Sequence, residues 1–374
     1  MRRLRVLYLI DQVIDTGGAE RFALGLATHL PADRFELWVC STRGAEPAAL
    51  EQLRDAGVRH VHLGRRGKLD VWRFRRLVAL LRHQRFDILH AHMFGSNLWG
   101  CLIGRACRVP IVIAHEQTWS YEGEPLRRWL DGHVIGRLAT RFVAVSTRDA
   151  ERMVTIEGVP VHKIVMIPNA YVPRPGASDT DLRGQLGLGP EVPLLVVVAQ
   201  LRPQKALEVL LDAMPRVHEA VPETHLAIAG DGECRAALEA RSRALGLTDR
   251  VHFLGRRSDV DAILQAGDLA VMSSDFEGTP LVAYECIANR TPLVATAVGG
   301  LPDIIDDGRT GRLVAPRDPA ALAAAIVELL NDPGRRAAIA AAAAEGEDEF
   351  TIATATSRFV ALYEQLARTT PACT

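Results

Sequence analysis

The sequence predicts an α/β protein made of two doubly wound, Rossmann-like domains. Short apolar, β-branched runs alternate with helical patterns, and this alternation stops once, in a stretch rich in Pro and Gly, and then restarts. The 374 residues exceed one ordinary core, and a hydrophobic share of 48% suffices for two. We therefore expect a first domain over 1–172, a linker over 173–193, a second domain over 194–350, and a terminal helix over 351–374 that packs back on the first domain.

The first domain is predicted to contain seven parallel strands. They are the runs 5–10, 35–40, 59–63, 86–92, 110–115, 141–146 and 163–168. Between them lie stretches with helical periodicity, such as "GAERFALGLATHL" and "VWRFRRLVALLRHQ". Strands that alternate with helices in this way form mostly parallel sheets covered on both faces.

The second domain repeats the pattern. Its predicted strands are 194–200, 224–230, 251–255, 269–274 and 292–297, and Ala-rich helices follow from Pro319. Two such sheets that face each other would form a cleft at the carboxyl ends of their strands, where ligands of this fold class bind.

Charge and cysteine content restrict the function classes. A net charge of −1 argues against a general nucleic-acid binder. Residues 1–172 nevertheless hold 25 Lys and Arg against 17 Asp and Glu, together with all five Trp, which suits an anionic lipid or substrate surface. The alternative is that Arg is simply the default surface residue, since the chain has only three Lys. Six Cys without paired spacing and no apolar window of membrane-spanning length predict a cytoplasmic protein, attached at most peripherally to the inner face of the cell membrane.

The stretch "SSDFEGTPLVAYE" places Glu277 and Glu285 eight positions apart after a predicted strand. Thr279 is a suitable helix N-cap and Pro280 a suitable first helical residue. The free N–H groups of such a helix start bind phosphate, and Glu285, about 9 Å further along the axis, could accept ribose hydroxyls. The spacing therefore suggests that the two carboxylates bracket a diphosphate. The alternative is an ordinary cap with two solvated carboxylates.

Two further loops follow predicted strands. Arg202 and Lys205 lie between a strand and a helix, where two cations could neutralise a diphosphate leaving group, although loop cations are more often only solvated. Gly17 and Gly18 precede a helix and would let the backbone approach a ligand closely, although they could equally form only a tight turn.

Histidines end two of the predicted strands. His90 and His92 could suggest a metal, but no carboxylate or cysteine has ligand spacing with them, so we expect no metal site. His115 ends the next strand and is the better candidate for contacting a substrate, with a structural histidine as the alternative.

Taken together, these motifs resemble glycosyltransferase family 4, which comprises retaining enzymes of the GT-B architecture. The resemblance rests on the EX7E stretch from Glu277 to Glu285 and on an ordered set of further motifs across most of the chain. These are "GGAER", "IPNAYV", "QLRPQK", "IAGDGE", "VHFLG" and "VGGLPDII". EX7E alone is permissive, whereas the ordered set is fairly specific.

The resemblance implies roles for individual residues. The implied catalytic residues are Glu277 beside the donor sugar, His115 touching the transferred sugar, and Arg202 and Lys205 on the diphosphate. The implied substrate-binding positions are completed by Gly17, Gly18, Arg256 near the base, Gly278, Thr279, Leu281 and Val282 at the phosphates, and Glu285 on the ribose. No cofactor or metal is implied.

The chain departs from the family pattern at three loop positions. Ala206 follows Lys205 where the family usually has Gly, Ala170 follows Asn169 where Gly is common, and Asp303 stands where Glu is frequent. None of these departures removes a charged donor-site residue. They therefore put the geometry of the loops in doubt, and not the enzyme class.

We therefore predict a retaining, metal-independent glycosyltransferase. Its donor is a nucleoside diphosphate sugar, such as a UDP- or GDP-sugar, and its acceptor is a glycan, a lipid-linked molecule or a small molecule in polysaccharide or glycoconjugate synthesis. A sugar-nucleotide epimerase on the same fold is the alternative. An NAD-dependent oxidoreductase lacks support because GxGxxG with a following acid is absent. A non-catalytic relative is disfavoured by the intact charged residues. The sugar, base, acceptor and oligomeric state stay open.

Overall fold

The structure is a computed structural model that describes residues 2–15, 17–67, 70–117, 124–174 and 180–370. It divides into two compact units, one formed by residues 1–172 with 349–374 and the other by residues 173–348. The last helix therefore belongs to the first unit. The segment 173–193, which the sequence suggested to be a linker, is grouped with the second unit.

Every run predicted as a strand contains one. The strands are β1 (Leu4–Val13), β2 (Phe35–Ala45), β3 (Arg59–His62), β4 (Ile88–His92), β5 (Ile111–His115), β6 (Arg141–Ala144), β7 (Ile164–Met166), β8 (Leu194–Val198), β9 (His225–Ala229), β10 (Val251–Gly255), β11 (Leu269–Met272), β12 (Leu293–Thr296) and β13 (Arg312–Val314). The sequence reading missed β13, which has only three residues and lies at one edge of its sheet.

In the described ranges given above, helices connect successive strands, and three more follow the last strand. They are α1 (Gly18–His29), α2 (Pro47–Asp55), α3 (Arg75–Gln84), α4 (Phe94–Ala106), α5 (Pro125–Leu130), α6 (Gly136–Leu138), α7 (Thr147–Thr155), α8 (Leu182–Gln185), α9 (Leu207–Ala220), α10 (Arg235–Ala244), α11 (Val260–Ala266), α12 (Leu281–Ala288), α13 (Leu301–Ile304), α14 (Pro319–Leu330), α15 (Pro333–Ala344) and α16 (Ile352–Thr369). A π-helical turn, Asp131–Ile135, joins α5 to α6, and 3₁₀ turns lie at Val71–Phe74, Val161–Lys163, Pro203–Lys205 and Glu347–Phe350.

The first unit contains a parallel sheet in the order β3-β2-β1-β4-β5-β6-β7. Its core combines apolar strand residues with the inner faces of α3 and α4. Helical spacing in "VWRFRRLVALLRHQ" predicts a buried stripe of Val71, Phe74, Leu77, Val78 and Leu81. Phe74, just before α3, and Leu77 and Leu81 on α3 are buried, whereas Val78 is partly buried. Val71 was predicted to be buried but is 44% exposed, because the chain forms a 3₁₀ turn there rather than the first turn of the helix.

The second unit contains a parallel sheet in the order β10-β9-β8-β11-β12-β13. Alternate residues of β8 enter different apolar clusters: Leu195 and Val197 lie in one, and Leu194 and Val196 in the other. Both faces of this central strand are therefore covered, as a parallel sheet requires. Leu182 of α8 is buried in the second cluster, so part of the stretch suggested to be a linker contributes to the core of this unit.

Helix α16 is fixed to the first unit by buried aromatic residues. The Tyr363 hydroxyl lies 2.9 Å from the hydroxyl of Tyr8 and 2.6 Å from Nδ1 of His90. The Phe359 ring is fully buried and lies beside Phe22 of α1, 6.4 Å between centroids. These contacts join the end of the chain to the sheet at its centre.

Candidate functional site

The two charged motifs of the second unit meet where its strand order reverses. Strands β8, β9 and β10 run towards one edge of the sheet, and β11, β12 and β13 run towards the other, so β8 and β11 are neighbours. The loop with Arg202 and Lys205 follows β8, and the loop with Glu277 follows β11. Both loops therefore leave the same end of two paired strands, which is where ligands of doubly wound sheets bind.

A charge pair joins these two loops. The Lys205 ammonium donates to Oε1 of Glu277 at 2.5 Å, and Ser274 Oγ donates to the same oxygen at 2.7 Å. The Glu277 side chain is only 6% exposed and that of Lys205 is 19% exposed. A buried carboxylate is tolerated when it is paired and hydrogen-bonded in this way. The sequence reading did not identify Ser274, although a hydroxyl three residues before Glu277 was a visible signal.

Backbone contacts hold the two loops together. Ser273 Oγ donates to the carbonyl of Lys205 at 3.0 Å, and the N–H of Asp275 donates to the carbonyl of Gln204 at 2.8 Å. These bonds fix the position of the Lys205 side chain relative to Glu277 by means other than their own ion pair. The two loops therefore hold Lys205 and Glu277 in a fixed relative position.

Gly299 supports the Glu277 loop from the other side. Its φ is +55°, and a Cβ at this position would lie 1.9 Å from the carbonyl oxygen of Glu277. The next residue, Gly300, donates its N–H to the carbonyl of Gly278 at 2.7 Å. The Gly-Gly pair of the "VGGLPDII" motif therefore allows a close approach of backbone to backbone.

Ala206 shows what one departure from the family pattern does. Its φ and ψ are 45° and 40°, which is the left-handed region, and it is fully buried directly after Lys205. Glycine adopts this conformation without steric cost, whereas alanine does so at a cost of about 1–2 kcal/mol. The loop thus keeps the backbone conformation that a glycine favours, with strain beside the ion pair.

The helix after Glu277 begins later than the sequence suggested. Pro280 is the N-cap and Leu281 the first helical residue, so the prediction of Thr279 as N-cap and Pro280 as first helical residue was wrong. Pro280 has an extended ψ of 129°, which takes it out of the helix. Gly278 and Thr279 are buried, and the N–H groups of Leu281 and Val282 belong to the first turn, where helical N–H groups have no intrahelical acceptor.

Glu285 has a partner that the sequence reading missed. Its carboxylate oxygen Oε1 accepts a hydrogen bond from Nη2 of Arg174 at 3.0 Å, and the two side chains are 2% and 18% exposed. Arg174 lies two residues after the boundary between the units, in the segment suggested to be a linker. No motif marked it, because a single arginine in a Pro-rich stretch has no periodicity or spacing.

The two other cations predicted for the donor site, Arg202 and Arg256, are exposed. Arg202 precedes the 3₁₀ turn that carries Lys205, and Arg256 follows β10. Within the described part of the chain, neither side chain forms a hydrogen bond or an ion pair. Both are therefore available to an anionic ligand, as a phosphate-binding role requires.

Gly17 and Gly18 lie in the first unit, at the start of α1. Gly17 is the N-cap with an extended backbone, and Gly18 is the first helical residue. A Cβ on Gly17 would lie 2.1 Å from a carboxylate oxygen of Glu20, so a side chain there would displace that carboxylate. The strand order reverses between β1 and β4 in this sheet, which places this turn at the switch point of the first unit.

His115 is buried at the end of β5 and belongs to a histidine cluster. It pairs in register with His92 at the end of β4, and its ring is nearly parallel to that of His90, with centroids 5.3 Å apart. Gln117 Nε2 lies 3.1 Å from its Nε2, and the Phe359 ring packs 5.4 Å away. The orientation of His115 is thus set by two strands and by α16.

Burial keeps the three imidazoles neutral. Desolvation lowers the pKa of His92 to about 3 and lowers the pKa values of His90 and His115 well below their usual range, with a smaller contribution from neighbouring histidines. Neutral histidine is the form that binds metals, and the nearest ligand atoms of the three all lie within 4.8 Å of one another. His115 was predicted as a substrate contact, but its proximity to His90 and His92 was not predicted, because register across two strands is not visible as spacing.

The stacking of two of the rings works against a shared ion. His90 and His115 are stacked at 10°, and the in-plane lone pairs of stacked rings do not converge on one point. Nδ1 of His90 is also within hydrogen-bonding distance of Tyr363. The expectation of no metal site stays a prediction.

The predicted residues thus form two groups. The second unit brings together Lys205 and Glu277 by direct contact and places Arg202, Gly278, Thr279, Leu281 and Val282 on the same pair of loops, with Glu285 one turn further. Arg256 follows a different strand of that sheet. Gly17, Gly18 and His115 belong to the first unit. That both groups line one cleft remains a prediction.

Comparison with known proteins places the chain in a family. Residues 16–173 match the model "Glycosyltransferase Family 4", and residues 178–346 match "Glycosyl transferases group 1". A D-inositol 3-phosphate glycosyltransferase from Thermomonospora curvata is 30% identical, over 88% of this chain and 86% of its own. The chain belongs to glycosyltransferase family 4. An α-D-kanosaminyltransferase from Streptomyces kanamyceticus is 27% identical to this family 4 enzyme, over 80% of this chain and 84% of its own.

Solved structures agree with the fold. HepE from Anabaena, crystallised in complex with UDP-glucose, aligns with a TM-score of 0.82 at 23% identity, over 97% of this family 4 enzyme and all of HepE. The prediction of two Rossmann-like domains of the GT-B class is confirmed, and so is the prediction of a glycosyltransferase. These matches do not support the alternative of a sugar-nucleotide epimerase. Of the helices that the structure describes, none combines the length and apolar character needed to cross a bilayer.

Proposed function

We propose that this family 4 enzyme transfers a sugar from a nucleoside diphosphate sugar to a hydroxyl group of an acceptor, with retention of anomeric configuration and without a metal ion. The observation that carries the proposal is the Lys205–Glu277 pair at the switch point of the second unit, beside the start of α12 and the exposed Arg202. In the solved HepE complex, a protein of similar fold holds UDP-glucose.

On the donor side, the charges match a diphosphate. Its negative charge would meet Lys205, Arg202 and the N–H groups of Leu281 and Val282. Glu285 would accept the ribose hydroxyls, and Arg256 would lie near the base. Because these groups are cationic or are N–H donors, the leaving group can be stabilised as it departs without a divalent ion.

The reaction is a displacement at the anomeric carbon on one face of the sugar. The bond from this carbon to the phosphate oxygen breaks, and a bond to the acceptor oxygen forms on the same side. The acceptor proton passes to the departing phosphate oxygen, which balances the step without a covalent enzyme intermediate. Glu277, held by Lys205 and Ser274, would face the sugar as an oriented anion.

His115 would contact the transferred sugar from the first unit. Its neutral ring offers either a donor or an acceptor to a sugar hydroxyl, and its fixed orientation favours a defined contact. The names of the two relatives indicate D-inositol 3-phosphate as a substrate of one and kanosamine as the sugar transferred by the other. A polyol, glycan or lipid-linked acceptor in polysaccharide or glycoconjugate synthesis is the class that we propose.

We also propose that the first unit touches the anionic inner surface of the cell membrane, which places the enzyme in the cytoplasm. Trp72 is 53% exposed, and the guanidinium groups of Arg73 and Arg75 lie 4.8 and 4.6 Å from its ring centre. Exposed Arg66 and Arg76 lie nearby in the chain, and Arg65 is half-buried. The sequence also predicts Lys68 on this basic face, but Lys68 lies outside the described residues. An exposed Trp flanked by Arg suits a lipid headgroup region.

The experiment that tests the donor site is a ligand screen followed by a transfer assay. UDP-, GDP- and ADP-hexoses would be compared for the increase in melting temperature that they cause, because a ligand specific to the native state raises it. The best donor would then be incubated with polyol and glycan acceptors, and the anomeric configuration of the product read by NMR. Stabilisation by no nucleotide sugar would contradict the donor site, inversion would contradict retention, and conversion of the sugar without an acceptor would favour an epimerase.

A further inference from the structure

The connection between the two units carries an arginine that reaches into the proposed nucleotide site. Arg174 is the second residue of the second unit, and its Nη2 donates to Oε1 of Glu285 at 3.0 Å. The neighbours of Glu285 on α12, namely Ala283, Tyr284, Cys286 and Ile287, are all buried. The side chain of Glu285 is itself only 2% exposed, so its carboxylate needs a hydrogen-bonding partner, and Arg174 supplies one.

The contact also fixes where the carboxylate points. A carboxylate can accept about four hydrogen bonds, so the N–H from Arg174 does not by itself use up what Glu285 can accept. The Nε of Arg174 is buried and has no hydrogen-bond partner among the residues described, although most buried polar atoms have one. It is Nη2, rather than Nε, that holds the Glu285 carboxylate.

We propose that Arg174 is a positioning residue for ribose recognition: it holds Glu285 in the orientation that accepts the ribose hydroxyls of the donor nucleotide, and so contributes to selecting ribonucleotides over deoxyribonucleotides. The inference rests on the proposed function, in which Glu285 binds the ribose.

The test compares UDP and GDP with their 2′,3′-dideoxy analogues by titration calorimetry. The measured quantity is the ratio of the two dissociation constants, which cancels general damage to the site. The wild type should bind the better ribonucleotide roughly tenfold or more tightly than its dideoxy analogue, since a hydroxyl bound to a carboxylate makes a charge-assisted hydrogen bond. Glu285→Gln should lower this ratio, and Arg174→Ala should lower it to a similar extent. Arg174→Lys should give an intermediate ratio, and the double variant no further loss.

Arg312→Ala is the matched control. Its side chain is 21% exposed, against 18% for Arg174, and it pairs with Asp307 and Glu328 at the edge strand β13 of the same unit. The ratio should be unchanged in this variant, even if its melting temperature falls.

The outcomes separate the inference from the function on which it rests. An Arg174→Ala variant with the full wild-type ratio, together with a lowered ratio in Glu285→Gln, would overturn the positioning role and leave the ribose site standing. Tighter ribonucleotide binding by Arg174→Ala would likewise overturn it, because Arg174 would then block the carboxylate. A full ratio in Glu285→Gln, or no nucleotide binding by the wild type, would overturn both.

Discussion

Removal of the Lys205 ammonium is the sharpest perturbation of the donor site. Lys205 Nζ lies 2.5 Å from Oε1 of Glu277, with side chains 19% and 6% exposed. Lys205→Ala deletes one charge-assisted hydrogen bond to the diphosphate, which contributes about 1.5–3 kcal/mol. Since 1.4 kcal/mol corresponds to a factor of ten, nucleoside diphosphate binding should weaken by about 10- to 150-fold. Turnover should fall as well, because the same cation stabilises the leaving group.

The same change should affect stability by a separate route. Without Lys205, the carboxylate of Glu277 keeps Ser274 but loses its cation. Breaking a fully buried pair costs about 3–5 kcal/mol, and because Lys205 is one-fifth exposed we expect about 1–3 kcal/mol. Lys205→Ala/Glu277→Gln should therefore recover much of the melting temperature but none of the binding.

The assay is calorimetric titration with UDP and GDP, together with initial rates and melting temperatures for each variant. Lys163→Ala is the control, because Lys163 also forms a partly buried hydrogen bond, to the carbonyl of Ala139 at 2.9 Å, but lies in the first unit. Nucleotide affinity within twofold of wild type in Lys205→Ala would refute the leaving-group role. A similar loss in Lys163→Ala would show that the effect is general.

Four further results are expected. Ala206→Gly should raise the free energy of unfolding by about 0.5–1 kcal/mol in denaturant titrations, since it relieves a left-handed alanine; a lower value would contradict the strain. Burial lowers the pKa of His92 to about 3, so its contribution to the free energy of unfolding should be fully present above about pH 6.5 and be lost as the pH falls towards 3. For each such histidine, the free energy of unfolding should fall by up to about 1.4 kcal/mol per pH unit in this range. His92→Leu should make this pH dependence shallower, and an unchanged pH dependence would contradict the effect of burial. EDTA should leave the initial rate nearly unchanged, whereas a loss restored by a divalent ion would overturn the metal-free proposal. The double variant Trp72→Ala/Arg75→Ala should sediment less with anionic vesicles at low salt than the control variant Arg309→Ala, which changes an exposed arginine of the second unit. Wild-type protein that stays in the supernatant would contradict membrane attachment.

Much of the fold was predictable because its signals are local. Each β-branched run from "RVLYLI" to "PLVATA" became a strand, since a buried parallel strand needs continuous apolar residues. The boundary near Val172 followed from Pro and Gly content. The three-residue strand β13 was missed because an edge strand of this length has no periodicity. The start of α12 was predicted one residue early. Pro280 is compatible with both the N-cap and the first helical position, and its ψ, which the sequence does not reveal, places it at the N-cap.

The site was predictable only where a motif marked it. Lys205 and Glu277 were found separately, and their contact depends on the pairing of β8 with β11, which strand order determines and spacing does not reveal. Arg174 was missed for a related reason, since its partner Glu285 lies far along the chain. The histidine cluster required the register of β4 with β5.

The most direct measurement of the central claim is a crystal structure of the enzyme with a bound nucleoside diphosphate. We expect diphosphate oxygens at hydrogen-bonding distance, about 2.7–3.2 Å, from Lys205 Nζ and from the N–H groups at the start of α12, with the ribose hydroxyls on Glu285. A nucleotide bound with its diphosphate away from the loops that follow β8 and β11, or with Glu285 facing away from the ribose, would contradict it.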